Sequence, residues 1–423
     1  MNDDLLDILK RDAVDPLAGF RDEFIIPRGP DGAECAYFTG NSLGLQPRAA
    51  RAMVDAELDR WATLGVEGHF RGDTPWMHYH NLLREHLAGV VGALPQEVVV
   101  MNTLTVNLHL MMVSFYRPTA ERPAILLEKH AFPSDRHAVE SQIRFHGFDP
   151  ATALIELDGD GPGGTLSQAA IERALDEHGH RVALVLLPGL QYLTGQRFDP
   201  GLIAPLAHRK GCVVGFDLAH SIGNVPLALH DSHADFAVWC SYKYLNGGPG
   251  AIAGCFVHER HAHTPRPRFA GWWGHEASTR FRMAPEFVPT PGAEGWQLSN
   301  PPILSMAPLR ASLEQFHRAG MDRLRAKSVA MTDFLERRIR ERVDRVLDIR
   351  TPPDPEQRGC QLSLRVRGPR DEGRSLFESL ERAGIVADWR EPDVIRVAPV
   401  PLYNRLADCA RFVDAVGAWA ANR

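Results

Sequence analysis

Residues 211–250 read GCVVGFDLAHSIGNVPLALHDSHADFAVWCSYKYLNGGPG, two short apolar runs that each give way to one charged side chain, Asp217 after the first and Lys243 after the second. The runs CVVGF and FAVWC are too short to be helices of their own and are rich in β-branched and aromatic residues, so both read as buried strands. The same texture recurs along the chain in EVVVMN, PAILLEK, ALIEL, RVALVLLPG and IAGCFVH, and stretches such as FPSDRHAVESQIRFHG and DPGLIAPLAHRKG read as helical connectors. Continuous apolar strands alternating with helices predict an α/β fold whose mainly parallel sheet is covered on both faces. Upstream, RAARAMVDAELDRWATLG and WMHYHNLLREHLAGVVGAL read as amphipathic helices.

From about Pro301 the texture changes to long helices (LSMAPLRASLEQFHRAG, MDRLRAKSVAMTDFLERRIRER), then the strand-like QLSLRV and VIRVAPVP, then a terminal helix, LADCARFVDAVGAWA. This predicts a large domain over residues 41–310 and a smaller α+β domain over 311–423, with segment 1–40 packing on the smaller one. Neither a low-complexity linker nor a repeat period is visible.

Composition narrows the function classes. A chain of 423 residues, 44% hydrophobic and 24% charged, can bury a large core in two or three packing units. Its 53 acidic and 47 basic residues are interspersed, so the net charge of −6 offers no field for nucleic acid or an anionic membrane. The opening MNDDLLDILKRDAVDP lacks the features of a secretory signal, and no run approaches membrane-spanning length. Six cysteines without a C-x-x-C pair (Cys35, Cys212, Cys240, Cys255, Cys360, Cys409) read as reduced and buried, which predicts a cytoplasmic protein.

In open α/β sheets ligands sit beyond the carboxyl ends of the strands. There the sequence offers Thr103 and Thr105 after EVVVMN, Phe132 and Asp135 after PAILLEK, Asp217 and His220 after GCVVGF, and Tyr242 and Lys243 after FAVWCS. Each has a structural reading too: the threonines and Asp135 as helix caps, Phe132 as core. Asp217 is harder to dismiss, because a carboxylate ending so apolar a run needs a positive or hydrogen-bonding partner. Lys243 raises the same problem with opposite sign, since no Asp, Glu, Lys or Arg lies between Asp235 and it, or between it and Glu259. An amine at the mouth of a buried strand is disfavoured as the ammonium and becomes a nucleophile suited to Schiff-base chemistry. A pyridoxal phosphate site needs such a lysine, a carboxylate for the pyridine nitrogen, an aromatic to stack on the ring, and a helix N-terminus with hydroxyls for the phosphate. All four stand here, each after a different strand.

The ordered set YFTGNSLGLQP, NTLTVNLHLMM, FPSDRHAVESQ, GFDLAHSIGNVPL, WCSYKYLNGGPGAIAGCFVHE, FAGWWGHE, LSNPP and IRVAPVPLYN resembles kynureninase, from about Tyr37 to Asn404. The resemblance implies fold type I of the aspartate aminotransferase superfamily, pyridoxal 5'-phosphate, and hydrolysis of L-kynurenine, or its 3-hydroxylated form, in tryptophan catabolism. It implies Lys243 as the Schiff-base lysine, Asp217 as the partner of the pyridine nitrogen, and Tyr242 as a phosphate ligand and proton donor. It places Phe132 on the cofactor ring, Leu104 and Thr105 at the phosphate turn, and Pro133, Ser134, Asp135 and His220 in contact with the cofactor. It further implies Arg396 as the clamp on the substrate carboxylate, with Ser42, His69 and Ser299 near the substrate. Trp272 and Asn300 would reach the phosphate from the other subunit of a homodimer with shared sites.

Two other classes stay open on the residues alone. A cysteine desulfurase or an aminotransferase would share Lys243 and Asp217, although no cysteine has the mobile-loop setting a desulfurase needs. A metal-binding role is suggested by His258, His261 and His263 in HERHAH, but the loose spacing and absent cysteine or carboxylate pairing lead us to expect no metal.

Overall fold

The computed structural model describes residues 3–423. Its large sheet has seven strands: β1 (Val98–Val100), β2 (Ala124–Glu128), β3 (Leu154–Leu157), β4 (Val182–Pro188), β5 (Val213–Asp217), β6 (Phe236–Trp239) and β7 (Gly254–Val257). They lie in the order β1-β7-β6-β5-β4-β2-β3. The links from β6 through β3 are parallel, and only β7 runs against its two neighbours. Each run that read as a strand is one, because both faces are covered. One apolar layer gathers Leu126, Val185, Val214 and Trp239, and the other Ile125, Leu184, Leu186 and Val238.

Parallel pairing aligns the strand ends. Pro188 pairs with Asp217 and Asp217 with Val238, so β4, β5 and β6 finish together along one edge. Glycine makes two of the close approaches. At Gly215 a Cβ would stand 2.1 Å from the Phe236 ring, and at Gly44 it would stand 2.3 Å from the Lys243 carbonyl oxygen. The second contact, with the Gly44 N–H donating to the Tyr242 carbonyl at 2.8 Å, lays the N-terminal TGNSLG segment on the Lys243 turn.

A second sheet comprises β8 (Leu347–Ile349), β9 (Leu362–Val366), β10 (Asp388–Arg390) and β11 (Val394–Val397), all antiparallel, in the order β8-β9-β11-β10. Helices Met321–Arg342, Arg370–Arg382 and Leu406–Ala421 cover it with Leu335, Leu376 and Phe412. Ile8, Ala36 and Phe38 from the N-terminal segment join the same core.

The structure departs from the sequence reading in several elements. WMHYHNLLREHLAGVVGAL is a single-turn 3-10 helix at Trp76–His78 followed by a helix over Asn81–Val91 only. Gly92 ends that helix at φ 61°, where a Cβ would collide with the Leu227 carbonyl. Helices Gln168–His178 and Arg370–Arg382 are additions to the expected set.

Candidate active site

The Lys243 turn follows β6 directly. Asn246 and Gly247 donate back to the Lys243 and Ser241 carbonyls, both at 2.9 Å, with Asn246 at φ 51°. The turn holds the half-buried lysine so that Nζ lies 2.9 Å from His220 Nε2 and 5.8 Å from the centroid of the Phe132 ring. Burial, then the nearby Lys243, Arg396 and Arg390 side chains, hold His220 well below the usual imidazole range, so at neutral pH it is a neutral ring in hydrogen-bond contact with the amine.

Facing this amine is a group of carboxyls. Asp217, 8% exposed, ends β5 and accepts the Ala219 N–H at 2.7 Å. Asp135 sits in the first turn of helix Pro133–Phe145, where burial and then Asp217 push its pKa well up. Glu128, the last residue of β2 and 6% exposed, is raised to about 8, chiefly by burial. The three line one cavity with Phe132, Tyr192 and His220. Asp135 Oδ1 and Glu128 Oε2 are buried there without a hydrogen-bond partner. Buried polar atoms left unpaired in this way call for a partner from a ligand, and a pyridine ring lying on Phe132 would bring one. Glu128 escaped the sequence reading although it carries the signal that flagged Asp217, a carboxyl ending an apolar run.

Two helix starts meet where the sequence reading expects a phosphate. Leu104 and Thr105 open the helix Leu104–Phe115, whose first N–H groups have no intrahelical acceptor. Thr105 Oγ1 lies 2.8 Å from Ser134 Oγ, next to Pro133 at the start of the other helix. Thr103 takes the N-cap position, but its hydroxyl makes no capping bond, so its expected role as a side-chain cap is not met.

Arg396 on β11 is 1% exposed, and burial pulls it down to about 10, so it stays a cation at neutral pH. Its Nη1 donates to the Tyr192 carbonyl at 2.9 Å, and its Nη2 meets the Asp388 carboxylate. Gln361 donates to the same carbonyl at 3.0 Å and accepts from Asn41 at 2.7 Å. The Tyr192 ring packs edge-on against Phe132, centroids 5.2 Å apart, which ties Arg396 to the cavity lined by Glu128, Asp135 and Asp217. Tyr192, Gln361 and Asp388 gave no signal in the sequence, because their partnerships depend on strand register in the small sheet and on the contact between the two sheets.

Of the remaining expected residues, Ser42 lies in the TGNSLG segment that rests on the Lys243 turn, and the others make their described contacts elsewhere within one chain. Ser42 is exposed beside Asn41, and His69 packs on Trp76 with ring centroids 5.2 Å apart. Ser299 and Asn300 are exposed. Trp272 is 41% exposed, donates to the Arg280 carbonyl at 3.1 Å and packs on Phe281.

HERHAH belongs to a hydrogen-bonded hub. Glu97, His230 and His258 bring their ligating atoms within 4.8 Å of one another. His258 Nδ1 already accepts the Arg260 N–H at 3.2 Å, and Glu97 accepts from Glu259 N, His230 Nδ1 and Leu94 N at 2.8–3.0 Å. His261 is bonded to Asp235 at 2.8 Å, and His263 is exposed.

The chain is 66% identical over 410 residues to a protein named kynureninase from Xanthomonas euvesicatoria pv. vesicatoria, an alignment covering 97% of each chain. It is 65% identical, over 97% of this chain and 96% of the relative, to a kynureninase from Xanthomonas campestris pv. campestris. Residues 324–416 match the family described as kynureninase C-terminal domain. Among solved structures, an apo cysteine desulfurase from Thermococcus onnurineus superposes with TM-score 0.77 at 17% identity, over 96% of this chain and 98% of that one. A variant of C-DES with glycine covalently linked to its pyridoxal phosphate superposes with TM-score 0.74 at 19% identity, over 94% and 98%. These two likenesses speak for the fold alone. All six cysteines here are free and buried, unlike the loop cysteine a desulfurase would need.

Proposed function

The chain belongs to the kynureninase family and hydrolyses L-kynurenine to anthranilate and L-alanine, and from that premise we propose that it does so with pyridoxal 5'-phosphate held by Lys243. The observation that carries this reading is the Lys243 amine, hydrogen-bonded to neutral His220 above Phe132 and opposite the cavity of Asp217, Asp135 and Glu128. When bound there, the cofactor supplies an electron sink for the electron pairs of broken substrate bonds.

This chain's residues do the rest. The Asp217 carboxylate would accept from the pyridine nitrogen, and Thr105, Ser134 and the first N–H groups of helix Leu104–Phe115 would hold the phosphate. The Lys243 amine, held by His220, would be placed to take the proton from the substrate α-carbon. Burial, then the neighbouring Cys240, raises the pKa of Tyr242, so the phenol keeps its proton across the neutral range and can protonate the β-carbon that becomes alanine. Arg396 clamps the α-carboxylate, which fixes the α-carbon relative to Lys243.

The second copy enters through an exposed aromatic surface. Phe70, Trp272, Phe281 and Met283 are 58%, 41%, 53% and 68% exposed. Phe281 packs on both Phe70 and Trp272, which puts the His69 and Trp272 segments on one face. An exposed aromatic cluster of this kind favours coverage by a partner, and a two-fold dimer would cover it twice. Among the described residues no helix is long and apolar enough to cross a membrane. With six reduced cysteines, a cytoplasmic setting is the fitting one.

The test is product analysis on the pyridoxal phosphate-loaded protein. Equal amounts of anthranilate and L-alanine should appear from L-kynurenine, with no sulfide from L-cysteine, and Asp217→Ala should abolish the first. Full turnover by Asp217→Ala would overturn the assignment of the site.

A further inference from the structure

Arg396 is buried to 1% exposure, and a guanidinium so enclosed needs a counter-ion before any substrate arrives. The adjacent strand provides it. Asp388 pairs with Arg396 across the β10–β11 ladder, and its Oδ2 meets Arg396 Nη2. The same oxygen lies 3.2 Å from Nη2 of Arg390, two residues further along β10 and therefore on the same face. The Arg390 side chain is 36% exposed and that of Asp388 13%, so one carboxylate oxygen is shared between an inner guanidinium and an outer one. Arg396 keeps its place meanwhile through the Tyr192 carbonyl, which Gln361 also holds.

We propose that Asp388 is a built-in stand-in for the substrate carboxylate: it occupies Arg396 before substrate binds and passes to Arg390 when the α-carboxylate of an amino acid takes its place. The inference rests on the reading of Arg396 as the carboxylate clamp. Two anions compete for one guanidinium edge, so the affinity for substrate is set by the difference between them. Arg390 matters because a displaced carboxylate left buried without a partner would oppose binding. With Arg390 beside it, Asp388 changes partners by a small side-chain movement. No covalent step is involved.

The exchange predicts effects of opposite sign. Asp388→Asn keeps the shape and removes the competing charge, so amino acid carboxylates should bind more tightly. Arg390→Gln removes the alternative partner and leaves Asp388 committed to Arg396, so they should bind more weakly. A purely structural ion pair predicts weaker binding in both.

Isothermal titration of the holoenzyme with L-alanine, together with steady-state kinetics on L-kynurenine, reads the difference. Asp388→Asn should lower the alanine Kd and the kynurenine KM by about three- to tenfold, and Arg390→Gln should raise both by a similar factor. The change should be carried by KM rather than kcat, and the double variant should behave as Asp388→Asn, because Arg390 acts only through Asp388. Weaker binding in Asp388→Asn, or unchanged binding in Arg390→Gln, overturns the proposal. Should Asp388→Asn fail to fold, Asp388→Ser, which removes the same competing charge with a smaller side chain, reads the same sign: tighter alanine binding is expected, and weaker binding overturns the proposal. Arg396→Lys separates the two layers. If it leaves alanine affinity unchanged, the clamp reading itself fails; if it weakens binding while Asp388→Asn does not tighten it, only the exchange fails.

Discussion

Replacing Glu128 by glutamine should make the stability of the apoprotein less sensitive to pH, by an amount that follows from burial. The Glu128 carboxyl is raised from 4.5 to about 8, mainly by burial, with Asp217 and Glu156 pushing it the same way. Below pH 4.5 folded and unfolded chains both carry the proton and the group is neutral in its effect. As pH rises, the unfolded chain releases the proton while the folded chain keeps it, so stability falls until the folded group also titrates near 8. A tenfold difference in proton affinity between the two states corresponds to about 1.4 kcal/mol, which puts the loss between pH 5 and 8.5 at about 3 to 5 kcal/mol for wild type. Glutamine has the same shape and no proton to lose. Urea denaturation of both apoproteins across that range should therefore show the variant gaining on wild type as pH rises, most steeply between 5 and 8. Asp135, raised in the same direction, acts in both proteins and largely cancels in the comparison. Parallel stability profiles, differing by a constant offset, would show that Glu128 is not held as a neutral acid.

Tyr242→Phe should lower kcat for kynurenine by about 10²-fold or more without abolishing it, as expected for loss of one positioned proton donor; a change below threefold would remove Tyr242 from that role. Asp217→Ala should weaken retention of pyridoxal phosphate by about 10²- to 10³-fold, the effect of breaking one buried charge pair, read by absorbance titration of the apoprotein. Unchanged affinity would sever Asp217 from the pyridine nitrogen. Mixing inactive Lys243→Ala with the double variant Trp272→Ala, Asn300→Ala under conditions of subunit exchange should restore activity above either parent, because one heterodimer site carries neither defect. If mass spectrometry confirms exchange and no activity returns, the sites are not shared.

What could be read from the sequence was whatever is recorded locally. The seven apolar runs became the seven strands of the large sheet because strands buried on both faces leave an uninterrupted hydrophobic signature. Asp217 and Lys243 stood out for a related reason, as lone charges at the ends of such runs. Glu128 is the same kind of residue, but the following Lys129 made PAILLEK look like an ordinary charged strand end. In the structure Lys129 is paired outward with Asp158 at 2.5 Å, while Glu128 turns inward. Asp388, Tyr192 and Gln361 left no trace, since they matter only through register across β9, β10 and β11 and through the contact between the two sheets. The weak signal of Arg370–Arg382 has a different cause. Its apolar side chains Leu376, Phe377 and Leu380 are spaced for a helix but outnumbered by charges.

Lys243 is the centre of the proposed chemistry, and one measurement addresses it directly. The protein loaded with pyridoxal phosphate is reduced with borohydride, digested, and the peptides are mapped by mass spectrometry. The expected product is a phosphopyridoxyl group on Lys243, within the peptide that carries SYKYLNGG, and no such group at that position in Lys243→Ala, which should also have lost turnover. Stoichiometric labelling of a different lysine in the wild-type protein, or full activity in Lys243→Ala, would contradict the assignment.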